Sequence, residues 1–387
     1  MRKIASDWLF TGTVLLPRHT VVLDADGRVE SVQSGVEADA EWMDGLISPG
    51  FVNAHCHLEL SHLKGQIPKH TGMAGFVRTL QPLRDKFSDA EKESAMQAAL
   101  VEMQATGIVA IGDICNGLSS LPVKKAHPEV IYHNFIEQFG LNPAMAEEIF
   151  LRGLELLREF GRGSSITLHA PYSMSVALRD KLLQYAHRRE WPQSIHLLES
   201  KEERQLFEDL DGPLMDFIRD IGAVFQAHTY RTVVDFVTES LPQNCNVLFV
   251  HNTEMTAAEL VFIAEGWPRT YFVLCPLANA YIHDRLPDAP SFAAYPDRIC
   301  LGTDSLAGNE SLSLLAEMHC LQTAHALPSE LLLRWATLNG AKALGLDLDR
   351  FKVAAGSRPI LIQIPEFIGA APFLPAHSHV QYLKTCS

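Results

Sequence analysis

Residues 49–59 read PGFVNAHCHLE, an apolar run that ends in two histidines, His55 and His57. In an extended strand, side chains at positions i and i+2 point to the same face. The two imidazoles are therefore expected to share one face at the end of the strand, where they can hold a metal ion. Cys56 is expected to point the other way as a core thiol. An H-x-H pair also arises by chance, so this pattern alone leaves two ordinary histidines equally open.

The chain around this stretch alternates between short apolar runs and longer amphipathic segments. The helical patterns include residues 90–105, 144–160, 177–189 and 257–264. The alternation predicts a parallel sheet, and eight strands are the number that closes a (β/α)8 barrel. The candidate strands are residues 46–54, 108–113, 130–137, 165–170, 193–198, 246–251, 270–274 and 298–302.

Both ends of the chain read differently from the middle. Residues 1–48 contain short β-like segments broken by Gly or Asp, and β-like sequence returns after Phe351. We therefore predict an α/β protein with a TIM-like barrel over residues 49–349. A small β-domain is expected to combine residues 1–48 and 350–387.

Composition excludes several classes of protein. The 387 residues are 47% hydrophobic and 20% charged, which is typical of a globular chain. Lys and Arg number 32 against 46 Asp and Glu, and the resulting charge of -14 argues against binding to nucleic acid. No apolar run is long enough to span a membrane. The seven cysteines include no C-x-x-C pair, which predicts reduced thiols and a cytoplasmic location.

Four further strand ends carry polar side chains. The predicted strands end near His169, His196, His251 and Asp304. Each residue alone is weak evidence, but the carboxyl ends of barrel strands are where barrel enzymes build their sites. Glu199 follows His196 by three residues, so the chain must bend near Leu197 if both face the site.

These stretches together resemble the amidohydrolase superfamily, in particular its aminohydrolase branch with a single metal ion. The matching segments occur in the family's order and cover roughly residues 46–346. They read PGFVNAHCHLELS, GIVAIGDICN, LHAPYSMS, IHLLES, LFVHNT, VLCPLANAYI and LGTDSLAGNESLSLLAEM.

The resemblance implies a role for each matching residue. It implies that the metal ligands are His55, His57, His196 and Asp304, with Asp304 also acting in catalysis. Glu199 matches the family's acid/base glutamate, and His251 matches the histidine that contacts the water at the metal. His169 stands where binuclear relatives carry a bridging Lys or Glu, so one divalent ion is expected and His169 faces the substrate. Imidazole nitrogens with one carboxylate suit zinc, and iron(II) accepts the same ligand types.

The implied reaction is hydrolytic deamination of an aminopurine nucleoside, a small-molecule substrate, with release of ammonia. The HLELS continuation resembles the aminofutalosine deaminases of an alternative menaquinone pathway, so the favoured substrate is 6-amino-6-deoxyfutalosine or a related adenosine derivative. The alternatives are deamination of guanine or another amino-heterocycle, hydrolysis of a cyclic amide, and chlorohydrolase activity. A non-catalytic scaffold that retains the barrel is a further alternative. The resemblance also suggests a homodimer.

Several residues keep two interpretations. Glu59 either contacts the substrate or bonds within its loop, and Arg78 and Arg84 either meet a carboxylate tail or are solvated helix charges. The family's usual Ser-Asn is replaced by Leu277-Ala278-Asn279, which leaves the role of Asn279 open. The remaining histidines, among them His62, His70 and His283, are predicted to be surface or packing residues.

Overall fold

The computed structural model describes residues 1–226, 230, 232–369 and 373–383. The chain begins with five strands of one sheet. In this sheet β1 pairs antiparallel with β2 and β3, and parallel with β5. The strands are β1 (Arg2–Phe10), β2 (Leu15–Pro17), β3 (His19–Leu23), β4 (Val29–Ser34) and β5 (Glu41–Pro49).

Within the described residues, eight parallel strands follow in two four-stranded sheets of order β6-β7-β8-β9 and β10-β11-β12-β13. Each strand is joined to the next by a crossover containing helix, as parallel pairing requires. The strands are β6 (Phe51–Cys56), β7 (Ile108–Cys115), β8 (Ile131–Gln138), β9 (Ser164–Leu168), β10 (Gln193–Leu197), β11 (Val247–His251), β12 (Thr270–Leu274) and β13 (Ile299–Leu301).

Gly50 divides the first predicted strand, so the prediction of one strand over residues 46–54 is wrong. Strand β5 ends at Pro49 in the terminal sheet, and β6 starts at Phe51 in the parallel sheet. A Cβ atom at Gly50 would lie 2.5 Å from Cγ1 of Val109. A side chain therefore does not fit where the chain passes between the two sheets.

Side chains and backbone together close both seams between the two parallel sheets. At the β9–β10 seam, the hydroxyl of Thr167 donates to the carbonyl of Ser194 and accepts from its amide at 2.8 Å. At the β6–β13 seam, the amides of Thr303 and Asp304 each donate to the carbonyl of His55 at 3.1 Å. The eight strands consequently surround one common interior.

Helices cover the outside of these strands, and their apolar faces pack with the strands in one large core and a second, smaller one. Ser88 and Glu91 form a capping box that starts α2. The helices are α1 (Gly72–Leu83), α2 (Asp89–Ala105), α3 (Ser120–Ala126), α4 (Ala146–Phe160), α5 (Val176–Ala186), α6 (Lys201–Glu208), α7 (Pro213–Asp220), α8 (Val233–Ser240), α9 (Ala257–Gly266), α10 (Pro276–His283), α11 (Ala289–Phe292), α12 (Leu314–His325), α13 (Ser329–Arg334) and α14 (Gly340–Ala343).

The chain then returns to the terminal sheet. Strand β14 (Leu361–Ile364) pairs antiparallel with β5, and β15 (Gln381–Leu383) pairs with β14. Strands from both ends thus share one sheet of order β15-β14-β5-β1-β3-β4, with β2 on β1. The proposed division into residues 1–48 with 350–387 and residues 49–349 stays a prediction, and residues 370–372 and 384–387 of that segment lie outside the described residues.

No helix among the described residues is long and apolar enough to cross a membrane. The six described cysteines carry free thiols, while Cys386 lies outside the described residues.

Replacing Thr167 by Val should destabilise the fold by about 1–3 kcal/mol, because the buried amide and carbonyl of Ser194 lose their partner at the seam. Urea unfolding of the variant would measure the loss. The matched control is Thr337→Val, since within the described part of the chain the buried Thr337 hydroxyl bonds only to the Leu333 carbonyl of its own helical segment. Equal destabilisation by both variants would contradict a special role for the seam.

Candidate active site

The candidate site lies at the carboxyl ends of the parallel strands, where the backbone leaves the extended conformation. Leu198, His251 and Asp304 have φ angles of 50°, 73° and 56°. Positive φ is uncommon for residues other than glycine, and such strained residues cluster at active sites. The predicted bend after Leu197 is present at Leu198, and it turns Glu199 into the same cavity as His196.

Three imidazoles and one carboxylate converge at these ends. The Nε2 atom of His57 lies 3.2 Å from Nε2 of His55 and 3.3 Å from Nε2 of His196. The Oδ1 atom of Asp304 lies 3.8 Å from Nε2 of His55 and 3.5 Å from Nε2 of His57. All four residues are buried. The structure therefore brings together the four residues that the resemblance implies as metal ligands.

This donor set fits a divalent metal ion. Two nitrogen ligands at about 2.05 Å from one zinc ion, at a tetrahedral angle, lie about 3.3 Å apart. The observed nitrogen separations of 3.2 and 3.3 Å match this spacing. Without an ion, three nitrogens and a carboxylate oxygen would face one another with too few protons to pair them.

The tautomer of His196 also suits ligation. Its Nδ1 atom donates to the backbone carbonyl of His169 at 2.8 Å, which leaves the lone pair of Nε2 directed at the other ligands. Glu137 adds a carboxylate oxygen 3.6 Å from the same Nδ1 atom. A second ion between Glu137, His169 and His196 is disfavoured, because it would need the nitrogen that already donates to the backbone.

Burial sets the charge of these groups. Burial and the neighbouring imidazoles lower the pKa of His55 and His57 well below the usual range. Neutral imidazole is the form that binds metals. Burial, followed by the charge of Glu199, raises the pKa of Asp304 to about 8. A divalent cation beside Asp304 would oppose this shift and favour the ionised carboxylate at neutral pH.

A buried ion pair supports the turn that follows the two first ligands. The amide of Leu58 donates to Oδ1 of Asp113 at 2.8 Å, and Nζ of Lys124 lies 2.5 Å from Oδ2 of the same carboxylate. Both charged side chains are almost completely buried. Removing either one would leave an unpaired buried charge next to the site.

Glu199 lies between two histidines. Its Oε1 atom is 3.7 Å from Nε2 of His251 and 3.4 Å from Nε2 of His283. The side-chain amide of Asn279 lies 3.1 Å from Nδ1 of His251. Burial opposes ionisation of Glu199, but His251 and His283 outweigh it and lower the pKa of this carboxyl to about 2.

Five of these side chains line the floor of a cavity of about 420 Å³, a size typical of small-molecule sites: His57, His196, Glu199, His251 and Asp304. Helices α1 and α7 supply an apolar wall that includes Phe76, Leu80, Phe217 and Ile218. His169 also lines the cavity, and its Nδ1 atom lies 3.0 Å from the hydroxyl of Ser173. The arrangement can hold a largely apolar molecule with one polar edge against the floor.

Glu59 lies behind the cavity lining and supports it. Its Oε1 atom accepts from Arg84 at 2.8 Å, and its Oε2 atom accepts from the amide of Asn116 at 3.1 Å. Arg84 and Asn116 line the cavity, so the solvated interpretation of Arg84 does not hold. Arg78 instead pairs with Asp220 at 2.5 Å on the exposed surface. The predicted substrate contact by Glu59 stays a prediction.

Sequence reasoning missed several residues that surround the site. Glu137 and Asn116 carried no recognisable signal, because single polar residues near strand ends are common, and the sequence pattern around Glu203 indicated only the exposed start of a helix. Glu203 is buried and accepts from the amide of Glu199 at 3.0 Å. His283 was expected to be a surface or packing residue, yet it touches Glu199. Its spacing of four residues from Asn279 is the one signal that indicated a shared helix face.

The wild-type protein should hold about one divalent metal ion per chain, and His196→Ala should hold far less because one of the four candidate ligands is removed. Metal analysis of the purified proteins after dialysis would measure this. His62→Gln is the matched control, since His62 lies in the turn after the first ligands without a hydrogen-bond partner for either nitrogen among the described residues. Equal metal content in His196→Ala and wild type would contradict the site.

Relatives with named activities resemble the chain over most of its length. An adenosine deaminase of Helicobacter pylori is 26% identical over 315 residues, covering 79% of this chain and 75% of the relative. An aminodeoxyfutalosine deaminase of Nitratiruptor sp. is 25% identical over 336 residues, covering 84% and 80%. A 5-methylthioadenosine/S-adenosylhomocysteine deaminase of Halobacterium salinarum is 25% identical over 398 residues, covering 96% and 86%.

Solved structures share the fold. The Helicobacter pylori aminofutalosine deaminase in complex with methylthio-coformycin matches with a TM-score of 0.77 at 21% identity, covering 94% of this chain and 92% of that chain. An adenosine deaminase from Xanthomonas campestris with bound zinc matches with a TM-score of 0.70 at 22% identity, covering 94% and 84%.

The predicted fold class is confirmed. The sequence model of the amidohydrolase family matches residues 46–372, and the chain therefore belongs to the amidohydrolase family.

Proposed function

We propose that this protein is a metal-dependent aminohydrolase that replaces the amino group of an adenosine derivative by oxygen and releases ammonia. The observation that carries this proposal is the convergence of His55, His57, His196 and Asp304 at one end of a cavity that Glu199 also lines. Metal ligands and an acid/base carboxylate within one small-molecule site are the components that hydrolysis of a carbon–nitrogen bond requires.

The four residues His55, His57, His196 and Asp304 would hold one divalent cation, and zinc suits their nitrogen and oxygen donors best. When bound, such a cation lowers the pKa of water towards about 7 and so supplies hydroxide at neutral pH. Zinc in a related solved structure supports this choice.

Glu199 would deliver one proton to the ring nitrogen beside the carbon under attack. This protonation matters because an aromatic amidine resists attack until its ring nitrogen accepts charge. Its low pKa keeps Glu199 ionised at neutral pH, so the carboxylate is ready to accept a proton from the attacking water. General acid–base transfer of this kind contributes on the order of 10²–10⁴-fold in rate.

Asp304 and His251 would complete the reaction. Asp304 takes the second proton of the attacking water and passes it to the leaving amino group, which departs as ammonia. Nδ1 of His251 faces the side-chain amide of Asn279, which lets Nε2 carry a proton into the site. That proton can stabilise the negative charge that develops on the attacking oxygen.

The favoured substrate is 6-amino-6-deoxyfutalosine or a related adenosine derivative. The names of the relatives support this choice, because all three act on molecules that contain adenine. The apolar wall formed by α1 and α7 suits a substituent on the ribose that carries apolar surface. A place in menaquinone biosynthesis follows if aminodeoxyfutalosine is the natural substrate.

The alternatives receive less support. Triazine hydrolases share the fold at 14–15% identity, which shows the fold alone. A scaffold without activity would have no need to keep a buried carboxylate facing two imidazoles, because burying such a carboxylate without an ion destabilises the fold.

A panel of adenosine, 5-methylthioadenosine, S-adenosylhomocysteine and aminodeoxyfutalosine should include at least one compound from which the metal-loaded protein releases ammonia. The rate of ammonia release would be measured by a coupled assay, with guanine as a comparison purine. We expect aminodeoxyfutalosine to have the highest kcat/KM. Release from guanine alone, or from none of these compounds, would contradict the assignment.

Asp304→Asn should abolish turnover and largely retain the metal, because an amide oxygen can still ligate whereas the amide cannot take a proton. Steady-state ammonia release and metal content would be measured on the same preparation. Near-wild-type activity of this variant would overturn the proton transfer assigned to Asp304, whatever its metal content.

A further inference from the structure

Helix α10 presents two polar side chains to the candidate catalytic residues. Asn279 and His283 are four residues apart and therefore lie on the same helix face. The amide nitrogen of Asn279 is 3.1 Å from Nδ1 of His251, and Nε2 of His283 is 3.4 Å from Oε1 of Glu199. One face of one helix thus contacts both residues.

Hydrogen bonds fix α10 near both of its ends. In the first turn, the amide of Leu277 donates to Oε2 of the buried Glu317 at 2.9 Å. In the last turn, the hydroxyl of Tyr281 donates to the carbonyl of Ile67 at 2.7 Å. His283 therefore reaches Glu199 from a rigid support, and its imidazole is almost completely buried.

The two carboxylate oxygens of Glu199 have different contacts. Oε1 lies within 3.4 Å of His283 and 3.7 Å of His251. Among the described residues, no hydrogen bond reaches Oε2. Glu199 lines the cavity, whereas His283 is outside the cavity lining formed by the described residues. His283 consequently contacts Oε1 and leaves Oε2 available for a contact with the substrate.

We propose that His283 is a positioning residue for Glu199. Nε2 of His283 donates to Oε1 of Glu199 and so keeps Oε2 of Glu199 directed at the ring nitrogen of the substrate. The inference rests on the deamination proposed above. A free carboxylate rotates readily about its last torsion, because that torsion is broad and two-fold. Even a displacement of about 1 Å at a reacting group can lower the rate by roughly 10²-fold.

The test compares three substitutions of His283 in the metal-loaded enzyme, with the adenosine derivative that the wild type deaminates fastest. His283→Ala should lower kcat by about 10- to 100-fold, the effect of losing one hydrogen bond to a charged group. KM should change little, since the residue does not touch the substrate. His283→Gln places an amide donor near the position of Nε2 and should restore most of kcat, whereas the shorter His283→Asn should not.

Matched measurements separate positioning from simple loss of structure. His70→Ala removes an exposed imidazole that pairs with Asp284 directly after α10, and it should leave kcat unchanged. Metal content and thermal unfolding of His283→Gln and His283→Asn should be alike. A parallel loss of stability and kcat across the variants would show a structural role and would overturn the proposal.

The two proposals fail in different ways. If the wild type releases no ammonia from any adenine derivative, the proposed function fails and the inference about His283 fails with it. If the wild type is active and His283→Ala keeps wild-type kcat, only the inference about His283 fails. A rise in KM at constant kcat would also overturn it, because that pattern indicates uniform binding of the substrate.

Discussion

The site depends on closure of the parallel strands at the seam between β6 and β13. His55 and Asp304 are far apart in the sequence, yet the amide of Asp304 donates to the carbonyl of His55. The side chain of Asn53 reinforces this seam through Thr303, with hydrogen bonds of 2.7 and 3.1 Å. A seam held by both backbone and side chains fixes the distance between the first and last candidate ligands. The candidate ligands can therefore be in place before an ion binds.

The electrostatic interactions among the candidate ligands and Glu199 depend on their burial in the site. Neutral imidazoles tolerate burial, but the carboxylates of Asp304 and Glu199 repel each other, and burial raises the pKa of Asp304. His251 and His283 lower the pKa of Glu199, whereas burial and the charge of Glu199 raise the pKa of Asp304 despite the two imidazoles beside it. A divalent cation would remove this imbalance, since it is attracted to both carboxylates and favours the ionised form of its own ligand. The different environments of the two carboxylates also suit the separate roles in proton transfer that we propose for them.

Supporting residues surround the candidate ligands and determine their orientation. Glu203 holds the backbone of Glu199, and Asp113 holds the turn after His57. Glu59 occupies both of its oxygens with Arg84 and the backbone amide of Asn116, and Arg84 in turn donates to the side chain of Asn116 where both residues line the cavity. A site built in this way is rigid at its floor, while α1 and α7 form its apolar wall.

The sequence by itself determined the alternation of strands and helices, the H-x-H pair, and the polar residues at strand ends. These features follow from local periodicity, which a single chain displays directly. Only the tertiary structure decided that Gly50 separates two sheets, that Arg84 is held by Glu59, and that His283 touches Glu199 across 84 positions of sequence. Such contacts depend on how helices pack outside the barrel and on how the seams close. Local periodicity carries no information about either, because a side chain's distant neighbours are set by packing and not by its place in the chain.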